Sequence, residues 1–346
     1  HFFHIGDTLA ADHGYNLMRC FFLLTFAAAI PAIISGGIAE RAKMRSQAIA
    51  TVLLVALVYP FFEGIAWNGN FGLQQWLQDT FGASFHDFAG SVVVHAMGGW
   101  IALAAVVLLG ARDGRYKKDG RVSAHPPSSI PFLALGSWIL IVGWFGFNAG
   151  SALSAGSLAA TAMINTQIAS AAAAMSWITF EKYRDGKATT LGVASGAIAG
   201  AVVITPACGY VNPIGALILG LIAGVASSYA VSRKYKFGYD DSLDVVGVHG
   251  VSGIIGMIGI GLFATATVNA TGKEGLFING STALLTKQLI AIASVAAFSF
   301  CATWLIATLI SRTIGFRVLR DDELTGLDTT YHAESAYDIT GNSNRY

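Results

Sequence analysis

The chain has 346 residues, of which 54% are hydrophobic and only 12% are Asp, Glu, Lys or Arg, and its net charge is +1. A soluble domain carries about 25% charged residues, whereas the charges here are gathered between apolar runs long enough to cross a bilayer. The composition therefore excludes an ordinary soluble domain and predicts an all-α polytopic membrane protein. The sequence has no basic stripe that would bind nucleic acid, and we expect no such partner.

Nine apolar runs predict nine transmembrane helices, since an open strand would leave its backbone unsatisfied in lipid. The runs cover about 17–38, 46–66, 88–111, 130–150, 155–179, 189–208, 213–232, 245–267 and 284–312. Gly and Ala are frequent in them, which allows helices to approach one another closely. A polar segment, 313–346, follows the last run. We therefore divide the chain into a transmembrane domain, 1–312, and a C-terminal tail.

Basic residues are distributed unequally between the two sets of connections. Eighteen of the 21 Lys and Arg residues lie in 41–45, 112–121, 182–187, 233–236, at Arg312 and in the tail, and the other three are Arg19, Lys273 and Lys287. Because cytoplasmic connections carry the excess of Lys and Arg, we expect a cytoplasmic C-terminus and His1 on the outer side. The protein is then integral to a cell membrane, either a plasma membrane or a bacterial inner membrane.

Two stretches, DFAGSVVVH at 87–95 and DVVGVHG at 244–250, each combine an aspartate at the start of an apolar run with one histidine inside it. A polar ring in hydrocarbon is costly unless it is hydrogen bonded, and the simplest partner for His95 is His249. The alternative is two unrelated core histidines. The predicted boundaries put His95 about 10 Å and His249 about 7 Å inside opposite edges, so the helix starts must tilt or shift for the rings to meet.

The two histidine helices are predicted to run in opposite directions, as in an inverted repeat around a site near the membrane midplane. The second repeat would cover about 130–267 with five spans, and the last helix would be 284–312. The first repeat ends at about 111 and shows three spans. We therefore expect two further helices before His1.

Patterns throughout the chain are typical of one known family. They are TFA at 25–27, GIAER at 37–41, AWNG at 66–69, DFAG at 87–90 with His95, GWFGFNAGSA at 143–152, TPACGY at 205–210, the pair Asp240 and Asp241, DVVGVHG at 244–250, and GLD at 326–328 with His332, Glu334 and Tyr337. In this order the chain resembles the ammonium transporter (Amt) family, relatives of the Rhesus proteins. The resemblance implies Amt-like inverted five-helix repeats, with nine spans visible of eleven, and a homotrimer with one pore per subunit.

The resemblance implies that His95 and His249 are the twin histidines of the pore, joined through their rings. Neutral imidazoles supply one donor and one acceptor each, so the pair could relay a proton left by an ammonium ion. The family moves ammonium with separate paths for NH3 and H+, and methylammonium serves as an analogue. No nucleophile, metal cluster or phosphate loop occurs in the sequence. We therefore expect no enzyme activity, cofactor or metal.

Five residues match the family's outer vestibule. Trp67, Phe26 and Ser151 match the cation recruitment site, since aromatic faces attract a cation and a hydroxyl accepts an N–H bond. Asp87 matches an aspartate beside it that caps backbone N–H groups and supplies negative potential. Phe26 and Phe147 match stacked rings that close the pore above the histidines. The alternatives are an aromatic belt at the membrane interface and a simple N-cap.

The tail pattern, with Gly326, Asp328, His332, Glu334 and Tyr337, suggests regulation. We expect the tail to dock against the basic loops at 41–45 and 112–121, in the same or a neighbouring subunit, through acidic side chains. Those are Asp321, Asp322, Glu323, Asp328 and Glu334. By resemblance, a PII-type signalling protein is a candidate partner at this face.

Two features leave alternatives open. The stretch 73–85 exceeds the compact loop of bacterial members and could cover the vestibule, while Asp240, Asp241 and Asp244 could cap a helix and pair with nearby Arg233, Lys234 and Lys236. An Amt-like ammonium sensor is the main alternative function, disfavoured because the tail resembles the transporter type. A pore for a neutral solute would have no use for an aromatic cation site.

Overall fold

The computed structural model describes residues 14–67, 72–82 and 84–337. The expected helices before His1, Asn68 and Gly69 of one family pattern, and the tail after residue 337 lie outside these ranges. Within them every regular element is a helix, and β-pairing is limited to two isolated bridges. The predicted all-α fold class is confirmed.

The helices follow the predicted apolar runs closely. The α-helices are α1 (Tyr15–Ile38), α2 (Met44–Leu53), α3 (Tyr59–Trp67), α4 (Gly72–Phe81), α5 (Met97–Leu109), α6 (Ile130–Gly150), α7 (Ser157–Asp185), α8 (Thr190–Ile204), α9 (Pro213–Phe237), α10 (Ser252–Phe263), α11 (Leu276–Asn279), α12 (Ala283–Thr313), α13 (Arg320–Thr325) and α14 (Leu327–His332). Three π-helical segments adjoin them: π1 (Leu54–Val58) joins α2 to α3, π2 (Ser91–Ala96) leads into α5, and π3 (Val246–Val251) leads into α10. Single π-helical turns are rare and occur frequently at functional sites.

Eight helical stretches in the described ranges are long and apolar enough to cross a membrane, and one of them lies within Met44–Phe81. The predicted run 189–208 differs, because its helix α8 has only 15 residues. At 1.5 Å per residue, α8 is about 22 Å long. The helix ends just before Pro206, which has no N–H to continue it.

Local sequence signals account for several helix boundaries. The side chains of Ser129, Thr189 and Asn212 each accept a hydrogen bond from the backbone N–H three residues later, at the starts of α6, α8 and α9. Such caps satisfy N–H groups that have no partner within the helix. The helices α7 and α9 end at Gly186 and Gly238, which have φ values of 83° and 74°. Glycine adopts this left-handed conformation without the strain of a side chain.

The segment formed by π2 and α5 lies at the centre of the molecule. Most residues of Ser91–Leu109 are buried within the chain, whereas α6 buries only Ile141, Trp144, Asn148 and Ala149. The central segment crosses π3 and α10 so closely that a Cβ on Gly99 would lie 2.4 Å from the Cα of Gly250. Ser91 Oγ donates to the carbonyl oxygen of Gly253 at 3.0 Å. Because Ser91 and Gly99 contact residues in the reverse order, the two segments run antiparallel.

The connection after Trp67, predicted as a loop, contains the helix α4. Its apolar residues Leu73, Leu77 and Phe81 recur every four positions, which is a helical repeat, and Leu77 is fully buried. At the start of α4, Gly72 has a φ of 78°, and a Cβ there would lie 2.6 Å from Ile65 Cβ. Only glycine fits this sharp approach of α4 to α3.

The chain after α12 packs against the loop between α1 and α2. Lys43 N donates to the carbonyl oxygen of Phe316 at 2.9 Å, and Val318 N donates to the carbonyl oxygen of Arg41 at 3.0 Å. These backbone bonds, with the bridge between Ala42 and Arg317, fix the start of the tail against the 41–45 loop.

The side chains of the tail contact both the tail itself and the 112–121 loop. Glu323 binds Arg317 of the tail itself at 2.8 Å and also accepts the backbone N–H of Asp113 at 2.6 Å. The ion pair between the tail and the 112–121 loop joins Arg320 to Asp113 at 3.2 Å, so the base is in the tail and the acid is in the loop. The Asp328 carboxylate accepts N–H groups from its own segment. Its expected contact with a basic loop of the same or a neighbouring subunit stays a prediction.

Candidate functional site

The rings of His95 and His249 meet at the crossing of the two central segments. Their Nδ1 atoms are 3.3 Å apart and their ring centroids 5.4 Å apart. Since both atoms are of the same type, one must carry the proton and the other must accept it. The Nε2 atom of His95 is buried and has no hydrogen-bond partner among the residues that the structure describes. The pair thus shares one proton and leaves a further ring nitrogen available.

The close helix crossing explains how the two rings reach each other from runs that begin at opposite edges. Gly99 lies four residues after His95, and Gly250 lies directly after His249. Each ring is therefore within about one helical turn of the closest backbone approach. Both histidines also lie in π-helical segments, π2 and π3.

Asp87 caps the start of π2. Its Oδ1 accepts the N–H groups of Gly90 and Ser91 at 2.9 and 2.7 Å, and its Oδ2 accepts that of Val92 at 2.7 Å. Burial raises the pKa of Asp87 to about 6, although these backbone N–H groups act in the opposite direction. The carboxyl is therefore both a structural cap and a titratable group near neutral pH.

The counterpart of Asp87 in the second half is Asp241, not Asp244 as the sequence pattern indicated. Asp241 lies eight residues before His249, just as Asp87 lies eight before His95, and its Oδ2 accepts the N–H of Val246 at 2.7 Å. Burial raises the pKa of Asp241 to about 7. Asp244 has a φ of 63° and its carboxylate is hydrogen bonded by Lys234. The sequence pattern matched Asp244 to Asp87 because each lies three residues before a glycine, Gly247 and Gly90. The capping residue is instead determined by where the helix begins.

Aromatic rings continue from the histidines towards Trp67. Phe147 lies 5.8 Å from His95, measured between ring centroids. Phe26 stacks on Phe147 at 4.2 Å with 24° between the planes, and Trp67 meets Phe26 edge-on at 6.0 Å. We call this series, from Trp67 through Phe26 and Phe147 to His95 and His249, the ring row. It joins α3, α1, α6, π2 and π3 in one line of contacts.

Ser151 and Trp67 are oriented by hydrogen bonds to the backbone. Ser151 Oγ donates to the carbonyl oxygen of Phe147 at 2.9 Å, so the hydroxyl lies one turn from the stacked rings. The indole Nε1 of Trp67 donates to the carbonyl oxygen of Asp87 at 3.2 Å. Every residue that the sequence assigned to the vestibule is therefore tied to the ring row by a contact or a hydrogen bond.

Trp144 belongs to the same group of rings, although sequence reasoning gave it no role. Its ring stacks on His95 at 5.1 Å and lies 6.5 Å from His249. The indole Nε1 donates to Thr205 Oγ1 at 2.9 Å, which holds the ring in place. The signal was present in the sequence, because Trp144, Phe147 and Ser151 lie at i, i+3 and i+7 on one face of α6.

At the tail side, Asp240 is the centre of a buried ion-pair network. Arg112 Nε donates to its Oδ2 at 2.7 Å, and Arg115 approaches its Oδ1 at 3.4 Å. Burial alone would raise the pKa of Asp240, but the hydrogen bonds from Arg112 hold it well below the usual range. The carboxyl thus pairs with arginines of the 112–121 loop, while the expected pairing with the 233–236 cluster is made by Asp244 and Lys234.

Comparisons with known proteins identify the family. The model of the Ammonium Transporter Family matches residues 3–337. The chain is 43% identical over 320 residues to the putative ammonium transporter of Methanothermobacter thermautotrophicus, covering 92% of this chain and 75% of that protein. It is 42% identical over 317 residues to the ammonium transporter of Bacillus subtilis, with 91% and 74% covered.

Solved structures share the fold. A protein described as Sensor Amt Protein superposes with a TM-score of 0.80 at 32% identity, covering 90% of this chain and 75% of that one. Candida albicans Mep2 superposes with a TM-score of 0.77 at 32% identity, covering 86% and 65%. The sequence relatives, the superpositions and the family model, which matches nearly the whole chain, agree, and the chain belongs to the ammonium transporter family.

Proposed function

We propose that this protein transports ammonium across the membrane through a pore in each subunit that follows the ring row. The observation that carries the proposal is the unbroken series of ring contacts from Trp67 to the shared Nδ1 atoms of the histidines. The names of the relatives support ammonium as the substrate, and we propose methylammonium as its analogue.

Recruitment of the cation takes place at the Trp67 end. The faces of Trp67 and Phe26 attract NH4+ by cation–π interaction, and Ser151 Oγ has lone pairs to accept an N–H bond. Asp87 caps π2 and accepts the indole N–H of Trp67 at its carbonyl oxygen, so its carboxylate adds negative potential near this end. A neutral solute would gain nothing from this combination of rings and charge.

The stacked pair of Phe26 and Phe147 acts as a gate. With 4.2 Å between centroids, no space remains between the rings for a substrate. An aromatic pair contributes only about 0.5–1.5 kcal/mol beyond its buried area. Thermal rotation of one ring is therefore sufficient to open the passage briefly.

The twin histidines separate the proton from the ammonia. A cation that loses its water in an apolar passage is strongly disfavoured against the neutral form, so NH4+ gives up a proton near the rings. A proton accepted by one imidazole can pass to the other through their shared hydrogen bond. NH3 then continues along the apolar path.

The assembly and orientation follow from the family and the basic connections. We propose a homotrimer within the lipid of a cell membrane, with the Trp67 end outside and the C-terminus in the cytoplasm. The transmembrane domain is 1–312 and the tail 313–346. Tail residues Gly326, Asp328, His332, Glu334 and Tyr337 then belong to a regulatory segment at the exit, where a PII-type protein could bind.

Replacement of either histidine tests the proposal. His95→Ala and His249→Ala in the full-length protein should abolish methylammonium uptake and ammonium current in proteoliposomes, while assembly is unchanged. The exposed His125 lies in a loop away from the ring row, so His125→Ala is the matched control. Wild-type uptake by both pore variants would contradict the relay.

A second candidate function is ammonium sensing, because the fold superposes with a structure titled Sensor Amt Protein. A sensor would bind ammonium at the Trp67 end without passing it on. Saturable binding by the wild-type protein without flux in the same proteoliposomes would favour this function over transport.

A further inference from the structure

Two buried glutamines bind the backbone of the segment that leads to Asp87. Gln74 of α4 donates from Nε2 to the carbonyl oxygen of Phe85 at 3.1 Å, and its Oε1 accepts the N–H of Phe85 at 3.0 Å. Gln288 of α12 does the same for His86, with both distances 2.8 Å. Each side-chain amide thus satisfies both backbone groups of one residue.

In this arrangement the two glutamine side chains make the hydrogen bonds that neighbouring β-strands would otherwise make. Consecutive residues of an extended strand direct their backbone groups to opposite sides, and a neighbouring strand supplies one donor and one acceptor to each. A glutamine amide carries the same donor and acceptor side by side. Gln74 is 8% exposed and Gln288 is fully buried, so loss of either amide would leave backbone groups unsatisfied away from water.

Phe85 and His86, which the two glutamines bind, position two features of the vestibule through the next residue, Asp87. The carboxylate of Asp87 caps π2, and its carbonyl oxygen accepts the indole N–H of Trp67. A shift of the segment would therefore move the indole and the start of the His95 helix together. The ring of His86 adds a further restraint, because it stacks on Tyr210 and its Nε2 accepts the N–H of Lys273.

We propose that Gln74 and Gln288 are positioning residues that fix the Trp67 indole of the cation recruitment site relative to the start of π2. The inference rests on the proposed role of Trp67 in recruitment. It also gives a purpose to the additional stretch 73–85, since α4 brings Gln74 to the vestibule. Neither glutamine contacts the substrate, and both act through Asp87.

The test is the concentration dependence of methylammonium uptake by the full-length protein in proteoliposomes. Gln74→Ala removes the amide, and Gln74→Met removes the hydrogen bonds while keeping the length of the side chain. Both should raise the half-saturation concentration about three- to tenfold, as expected for the loss of one or two net hydrogen bonds, while the maximal rate stays within about twofold of wild type, because Gln74 acts on recruitment and not on the relay. The control is Gln78→Ala, since Gln78 is exposed on the same helix.

A double-mutant cycle with Trp67→Leu separates positioning from a general loss of structure. If Gln74 acts through the indole, Gln74→Met should add little to the effect of Trp67→Leu, because coupled residues are not additive. An unchanged half-saturation concentration in Gln74→Met, or full additivity with Trp67→Leu, would overturn the inference. No effect of Trp67→Leu alone would instead reject the proposed recruitment site.

Discussion

The two histidine-bearing halves share a framework but differ in what surrounds its entrance. In each, an aspartate eight residues before the histidine caps a π-helical segment, Asp87 for π2 and Asp241 for π3. The first entrance is lined by Trp67 and Phe26, whereas the second lies beside the ion pair of Lys234 and Asp244. The repeated framework brings the two rings together, while the residues around its two ends differ.

Under the proposed function, this difference suits the two ends. Aromatic faces attract a cation without a formal charge that would hold it tightly, whereas the paired charges of Lys234 and Asp244 at the other end leave little net field. The two ends of one repeated framework would therefore differ in how strongly they attract a cation.

The largest effect is expected where the two halves touch. Gly99→Ala would put a Cβ 2.4 Å from the Cα of Gly250, and the backbone cannot move aside without separating the histidines. Overpacking of this kind costs about 1–3 kcal/mol or more, so the variant should unfold at lower temperature and lose transport. Gly136→Ala on α6 is the control, because a Cβ there meets nothing within 4 Å.

The unfolding temperatures of the two purified variants in detergent are compared with that of the wild type, and uptake is the second measurement. Equal unfolding temperatures for Gly99→Ala and Gly136→Ala would show that the crossing tolerates a methyl group. The shared framework would then not depend on the close backbone approach.

The apolar runs and the two histidines could be predicted from the sequence, because a polar residue in hydrocarbon stands out by composition alone. Other features depend on contacts between distant parts of the chain. Asp241 could not be singled out as the cap among the three aspartates, because its role is set by the first residue of π3, which hydropathy does not define. Gln74 and Gln288 were missed because each binds backbone, and a backbone partner leaves no pattern in the sequence.

The two capping aspartates predict a pH dependence of stability that distinguishes the halves. Burial raises the pKa of Asp87 to about 6 and that of Asp241 to about 7, above an unfolded value of about 3.9. A carboxyl with a raised pKa stabilises the fold fully below the unfolded pKa, and this contribution is lost as the pH rises through the folded pKa. Unfolding free energy should therefore fall between about pH 4 and 8.

Asparagine variants separate the contributions of the two halves. Asp87→Asn should remove its part of the slope between about pH 4 and 6, and Asp241→Asn its part between about pH 4 and 7, since asparagine does not titrate in this range. The measurement is denaturant unfolding in detergent at a series of pH values. Curves parallel to the wild type for both variants would mean that neither carboxyl titrates there.

The smallest effect is expected at the tail, which contacts the loops at 41–45 and 112–121. Glu323 is more deeply buried than Arg320, whose side chain is 74% exposed, and it binds both Arg317 and the backbone of Asp113. An exposed ion pair contributes about 0–1 kcal/mol, so Arg320→Ala should alter tail docking by less than about fivefold. Glu323→Ala should release the tail further, because it leaves Arg317 without its partner and removes a second hydrogen bond. Asp321→Ala, at an exposed position of α13, is the control.

Limited proteolysis reports release of the tail, and uptake at matched protein density reports its consequence. If the tail regulates the passage, the order of protease sensitivity, Glu323→Ala above Arg320→Ala above Asp321→Ala, should be repeated in the change of uptake rate. A released tail with an unchanged rate would make the segment a static cover of the loops at 41–45 and 112–121. The asymmetry between the two ends would then lie entirely in the lining of the pore, since docking and transport would vary independently.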